Sequence, residues 1–351
     1  MGLNSRHGFV VGIEFDLYWM TAAVVDVCGR IVARRRIEMP CLPTRSAITE
    51  ALLEAIASAI RESGYEPKAL KGIGVADPGV VDTQSGTTRL CSLLPDWHDV
   101  PVRDLLTSRF GVPVLLDENT RAKTLCEHRA GAAQGIRHLL YVDVGSGIGC
   151  GLIMDGRLYR GHREIAGELG HVRVLENGPV CQCGGSGCLE TVASYPALIR
   201  QARAALRDGA RSLMAGRADA LTMADFFEAV RGGDRLALGL WDRALRYLGE
   251  AVANAANLLN PELIAMNFNL PEADESLWLA ALRGIVERRV IRLPGQDLPV
   301  RAARAGGDAG AWGAAMLLLD RLFEGPLVSQ EVCLPVTTAK AGFLFTHYSA
   351  P

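Results

Sequence analysis

The residues best able to do chemistry crowd into one short stretch. His171 precedes the segment Cys181-Gln182-Cys183-Gly184-Gly185-Ser186-Gly187-Cys188, which supplies three thiolates on a glycine-rich loop. Three sulfurs and one imidazole suit tetrahedral zinc, and the glycines let the backbone turn tightly enough for neighbouring cysteines to converge on one ion. With no coordination position left open, such an ion would be structural, tying loops down and activating no water. The other reading of these residues is three buried, unpaired cysteines. Nine cysteines in all, an odd number with three in one cluster, favour a metal site in a reducing compartment over a disulfide framework.

Glu168-Leu169-Gly170-His171 and Glu190 flank this cluster, so an ion that fixes His171 also fixes two carboxylates nearby. Carboxylates and an imidazole around a pocket suit a polyhydroxylated ligand, because sugar hydroxyls donate to carboxylates in pairs; solvated surface positions are the plainer alternative for both glutamates. Gly145-Ser146-Gly147-Ile148-Gly149-Cys150-Gly151 follows a strand-like run. Backbone amides in such a loop can surround a phosphate, or the glycines can simply make a tight strand-to-strand connection.

The elements that must position these groups follow from periodicity. Phe9 to Asp16, Met20 to Val27 and Ile31 to Met39 read as an antiparallel meander, with Cys28-Gly29-Arg30 as the second turn. Ser46 is placed to cap a helix whose apolar stripe is Ile48, Leu52, Leu53, Ile56 and Ile60, ending at Gly64. Strands follow at Gly72 to Ala76, Val80 to Asp82 and Pro113 to Asp117. The second half starts alike, with a strand at His138 to Val144, the glycine loop, and two strands joined by Asp155-Gly156. Helices are predicted over Tyr195 to Arg207, Met223 to Arg231 and Leu238 to Leu259, and strands over Glu262 to Asn267 and Pro299 to Arg304, each of these strands followed by a helix. This order is that of two lobes of ribonuclease H-like or actin-like plan.

Composition excludes several classes. With 351 residues, 49% hydrophobic and 22% charged, the chain is globular, of a length that suits two lobes. Thirty-seven basic against 39 acidic residues give a formal charge of −2, too balanced for a whole-surface polyanion binder. No apolar run approaches the ~18 residues of a membrane helix, so a cytoplasmic protein without membrane contact is expected. Gly2 does not begin a myristoylation signal, since Arg6 stands where Ser or Thr is needed.

Taken together, the Glu168 to His171 motif, the Cys181 to Glu190 segment and the Gly145 to Gly151 loop resemble the ROK family of repressors, open reading frames and sugar kinases, over residues 9 to 320. The resemblance implies a two-lobed actin-like fold, a sugar in the interlobe cleft contacted by Glu168, His171 and Glu190, and structural zinc on His171, Cys181, Cys183 and Cys188. Kinase members open with Asp-x-Gly-Gly-Thr, whose turn approaches the ATP phosphates. This chain has Glu14-Phe15-Asp16-Leu17-Tyr18, which sets an added carboxylate and two bulky side chains against phosphate. The kinase segment Glu-Asn-Asp-Ala-Asn corresponds to Asp117-Glu118-Asn119-Thr120-Arg121, with Asn119 in the place of the general base. An amide accepts a hydrogen bond but takes no proton at neutral pH. Past Asn260-Pro261-Glu262-Leu263-Ile264, Asn267-Phe268-Asn269 replaces a Gly-Gly-Gly-like turn. Leu93 replaces a sugar-contacting Asn in Leu93-Leu94-Pro95-Asp96-Trp97, and Glu118 replaces a second one.

These departures predict sugar binding without phosphoryl transfer. The sugar contacts are Glu118, Asn119, Glu168, His171 and Glu190. Glu14, Asp16, Gly145, Gly147, Gly149 and Asn267 mark a degenerate nucleotide site that takes no Mg²⁺-ATP. The expectation is the effector-binding core of a ROK-type transcriptional regulator of carbohydrate metabolism, with a functioning ROK carbohydrate kinase and an orphan sugar-binding scaffold as the rivals. Leu3 to Gly12 resembles the join at which regulators pass from a winged helix-turn-helix into the first strand, an ordinary ragged terminus being the alternative; DNA contact is expected only through such an upstream domain, absent from this chain. The resemblance also implies a homodimer or homotetramer. Residues 9–118 plus 308–323 are expected as one lobe and 119–307 as the other, with 324–351 a tail of no assigned structure.

Overall fold

The first strand is hydrophobic at almost every position, as befits a strand covered on both faces. In the computed structural model, which describes residues 8–39, 43–269, 272–291 and 297–323, β1 (Phe9–Phe15) is buried throughout except at Glu14. It pairs antiparallel with β2 (Trp19–Asp26), which pairs with the exposed edge strand β3 (Ile31–Glu38). Helix α1 (Arg45–Ser63) lays Ile48, Leu52, Ile56 and Ile60 on this lobe's core and ends at Gly64, whose φ of 72° is cheap only for glycine. Its cap is Thr44, which accepts from the Ala47 amide, and not Ser46. The helix starts two residues earlier than a Ser46 cap would set it, leaving Ser46 inside the first turn and bonded to Glu50. The sheet continues through β4 (Leu70–Asp77), the hairpin β5 (Val80–Asp82) and β6 (Thr87–Leu90) stands beside it, α2 (Val102–Phe110) follows, and β7 (Val114–Glu118) closes it. The order is β3-β2-β1-β4-β7, with β4 and β7 parallel to β1.

After α3 (Asn119–Ala130) the plan repeats. Strands β8 (Leu139–Val144), β9 (Ile148–Met154) and β10 (Arg157–Tyr159) form a second meander. Helices α4 (Leu189–Ala193), α5 (Tyr195–Arg207), α6 (Met223–Arg231) and α7 (Arg235–Leu259) lead to β11 (Leu263–Asn267), α8 (Glu272–Arg289), β12 (Val300–Ala302) and α9 (Ala309–Phe323). The sheet order β10-β9-β8-β11-β12 copies the first, with β11 and β12 parallel to β8. Helix α7 begins three residues ahead of its predicted start because Asp234 caps it. Strand β9 also begins earlier, at Ile148, so the glycine loop is only Gly145 to Gly147. Gly149 and Gly151 lie in the strand, where a Cβ would meet the hydroxyls of Thr120 and Thr124 at 2.1 and 1.8 Å, so these two glycines admit α3.

Helix α9 returns to the first sheet and packs Ala311, Ala315, Leu318 and Leu319 against Val10, Ala23 and Val25. It sits so low that a Cβ on Gly74 would lie 2.0 Å from the Ala314 carbonyl oxygen. Gly74→Ala is therefore expected to lower the unfolding free energy by about 1–3 kcal/mol through overpacking, as read by urea denaturation. Unchanged stability would show that α9 can lift from the sheet at no cost. Among the described residues no helix is long and apolar enough to cross a membrane. Residues 3–7 of the expected Leu3-to-Gly12 join and the tail 324–351 lie outside the described residues.

Candidate functional site

Parallel strands point their carboxyl ends the same way, and ligands in open α/β sheets bind beyond those ends. Here both sheets deliver such ends to one cleft of about 1610 Å³: Glu118 and Asn119 from β7, Asp143 and Gly145 from β8, Asn267 from β11 and Ala303 after β12. Asp16, Glu168, His171 and Glu190 line it as well.

The cysteine cluster forms as the spacing predicts. Single donor atoms of His171, Cys181, Cys183 and Cys188 all lie within 4.8 Å of one another. His171 Nδ1 is 3.6 Å from Cys181 Sγ, and Cys183 Sγ is 3.7 Å from Cys188 Sγ. Gly184 at φ 91° and Gly187 at φ 69° make the turns that this convergence needs. Three thiols and an imidazole, close enough to share one ion, fit tetrahedral zinc. The other ring nitrogen, His171 Nε2, faces Glu168 at 3.7 Å, so one imidazole connects the metal set to the cleft.

Cys188 also starts α4, and Glu190 therefore rides on that helix's first turn. Its Oε2 accepts from the Ile148 amide at 3.0 Å, and burial pushes its carboxyl above the ordinary range. Gly147 must be bare there, because a Cβ would lie 2.7 Å from the same oxygen. The glycine loop thus seats a carboxylate, a role that its sequence did not disclose.

At the start of α3, Asn119 lines the cleft and accepts from Thr120 Oγ1 at 3.3 Å. Glu118 lines it too, but both its oxygens are engaged by its own helix, accepting from the amides of Thr120 and Arg121 at 2.9 and 3.2 Å. Burial pushes its carboxyl up to about 7 against the pull of Arg121. Asp117 turns away from the cleft. Burial alone would raise its pKa, yet Arg121 and Arg160 at 2.6 Å hold it below the usual range. Arg121 also reaches the Glu164 carbonyl, and Glu164 accepts from Thr83, so this network joins the β5–β6 hairpin to the loop after β10. Leu93 lines the cleft, and Trp97 in the same segment is anchored by Asp77 at 2.8 Å.

A second group of side chains lines the same cleft. Asp16 accepts from the amides of Tyr18 and Trp19 at 2.7 and 2.8 Å, which folds the turn back on itself. Tyr18 and Trp19 face the cleft, with the Arg36 guanidinium stacked 4.3 Å over the indole. Lys123 Nζ lies 3.0 Å from Glu14 and 2.8 Å from Asp143, and Asn267 and Asn269 both donate to Asp143, at 2.6 and 3.0 Å. One ammonium thus stands between the two carboxylates, and the Asp16 and Tyr18 side chains line the cleft where the kinase motif has glycine and threonine.

The metal loop, the doubled sheet plan and the cleft agree with comparison to known proteins: the model of the ROK family matches residues 10–321. The chain belongs to the ROK family. It is 35% identical over 319 residues to a glucokinase of Thermotoga maritima, covering 89% of this chain and 98% of that one. It is 28% identical over 323 residues to a xylose repressor of Caldicellulosiruptor bescii, covering 91% and 80%. A ROK family glucokinase from Streptomyces griseus, solved with glucose and AMPPNP, superposes with a TM-score of 0.76 at 31% identity, covering 88% of this chain and 99% of that one. The two-lobed actin-like α/β fold of the family is thereby established, and the relatives include both repressors and kinases.

Within this ROK chain the structure brings Glu118, Asn119, Glu168, His171 and Glu190 to one cleft, with both Glu118 oxygens also accepting from its own helix. Sequence reasoning missed Lys123 and Asp143. Both left a trace: Lys123 lies one helical turn beyond Asn119 on the same face of α3, and Asp143 stands two residues ahead of Gly145 at the end of a buried strand.

Proposed function

We propose that this protein is the sugar-sensing, catalytically inactive effector-binding core of a ROK-type regulator of carbohydrate genes. The observation that carries this reading is Asn119 on the cleft wall. Its amide stands where the aligned kinase motif has a carboxylate, so a bound sugar hydroxyl finds an acceptor but no base. Glu118 next to it is held by its own helix, accepting one amide hydrogen bond from α3 on each oxygen. Glu168, His171 and Glu190 remain in the cleft to hold hydroxyls, steadied by zinc on His171, Cys181, Cys183 and Cys188. In this reading 9–118 plus 308–323 and 119–307 are the two lobes, DNA is reached through a separate winged-helix domain, and the core acts as a dimer or tetramer in the cytoplasm. The second reading, an ATP-dependent hexose or N-acetylhexosamine kinase with a divergent nucleotide site, draws on the identity to the Thermotoga glucokinase.

A cognate sugar should raise the melting temperature through binding linkage, which contributes about 2.7 kcal/mol at a ligand concentration of 100 times Kd. Glu190→Ala is expected to remove most of that shift while leaving ligand-free stability nearly unchanged. His171→Ala should lower both, since it loses a cleft contact and a metal ligand together. Differential scanning fluorimetry across hexoses, pentoses and N-acetylhexosamines checks this. If no sugar shifts the wild type, the sensor reading fails.

A further inference from the structure

Glu14 near the end of β1 and Asp143 near the end of β8 belong to different sheets, yet both grip one ammonium. Lys123 Nζ is 3.0 Å from Glu14 Oε1 and 2.8 Å from Asp143 Oδ2, and the Lys123, Glu14 and Asp143 side chains are 12%, 12% and 11% exposed. Room for this arrangement is built in: a Cβ on Gly310, at the start of α9, would lie 2.2 Å from the Glu14 carboxyl carbon. The other Asp143 oxygen accepts from Asn267 and Asn269, whose amides add no charge. Two carboxylates this close and this dry demand a cation between them. A hard divalent ion, which binds carboxylate oxygens at about 2.0–2.6 Å, has to occupy the same point.

We propose that Lys123 is a resident counter-cation standing in for a divalent metal between Glu14 and Asp143, and that its removal uncovers a latent site for Mg²⁺ or Mn²⁺. Burial works against the charge on Lys123, but Asp143 and Glu14 hold its pKa well above the ordinary lysine value. The ammonium therefore does not yield the site by losing its proton. Burial raises the Glu14 carboxyl against the pull of Lys123; with both carboxylates ionised, one ammonium leaves a net negative charge, which a divalent ion would cancel. The inference rests on the reading of the cleft as one that works without a metal–nucleotide complex. It supplies a separate cause for that behaviour, independent of Asn119.

The test is a Mn²⁺ titration of the zinc-loaded protein, followed by electron paramagnetic resonance of the free ion. The wild type is expected to bind no Mn²⁺ at this site. Lys123→Met should bind one Mn²⁺ at least about tenfold more tightly than wild type, gain melting temperature from it, and lose both effects when combined with Asp143→Asn. A folded Lys123→Met protein with no better Mn²⁺ affinity than wild type would overturn the proposal. So would wild-type binding that Asp143→Asn abolishes. Lys123→Gln is read in the same way if the methionine variant does not fold, and the wild-type titration stands without either. ATP turnover by the wild type is a different measurement and bears on the regulator reading, so the two failures are distinguishable.

Discussion

Cys183→Ser is expected to release about one zinc per chain and to cost the protein several kcal/mol of stability. Four donor atoms within 4.8 Å of one another are a poor arrangement without an ion, because thiolates repel and thiols bond weakly. With zinc they tie together the turn at Leu169–His171, the loop bridged at Val180 and Ser186, and the start of α4. Metal-binding energy is folding energy for such a loop; structural zinc in small domains is worth about 10–16 kcal/mol at neutral pH. Only the part coupled to ordering residues around the cluster should appear here. At about 2–4 °C per kcal/mol for domains of this size, the melting temperature should fall by on the order of 10 °C. Elemental analysis and calorimetry on the variant, with Cys28→Ser on the β2–β3 turn as control, decide it. Wild-type protein free of zinc and equally stable would refute the metal assignment.

The wild type should show no sugar-dependent turnover of Mg²⁺-ATP above background, and Asn119→Asp should not restore it. A positioned general base is worth about 10²–10⁴-fold. Were its loss the only defect, this single substitution would recover that factor. It leaves untouched the ammonium between Glu14 and Asp143, the amides of Asn267 and Asn269 on Asp143, and the Tyr18 side chain in the cleft. A coupled assay over a panel of hexoses, pentoses and N-acetylhexosamines is the measurement. A gain within the range expected of a general base would show that nucleotide reaches the cleft and that the Glu14–Tyr18 and Asn267–Asn269 segments do not oppose it; sugar-dependent turnover by the wild type itself would put the kinase reading in place of the regulator reading.

What the sequence alone determined about this protein is what local spacing encodes. Strand periods, the Asn260-Pro261 stop of α7 and the whole metal set were legible because their partners lie within one turn, one strand or one glycine loop. Glu168 and Glu190 came with that set, since each lies within three residues of one of its donors, His171 or Cys188. Ser46 was misread for Thr44 because a cap depends on where the first turn closes, which a two-residue shift in a polar segment does not reveal. Gly149 and Gly151 were open to reading as a phosphate loop or a tight strand connection, and their true neighbours, Thr120 and Thr124, sit on a helix that only tertiary packing brings against β9. Tertiary structure alone decided the charge chemistry of the cleft. Glu14, Lys123, Asp143, Asn267 and Asn269 come from two sheets and the helix between them, and Arg160 reaches Asp117 from a separate loop. Charges interact through space, so a carboxylate's role was set by which cation the sheet order brought beside it and how much water was excluded there, neither of which is encoded in neighbouring residues.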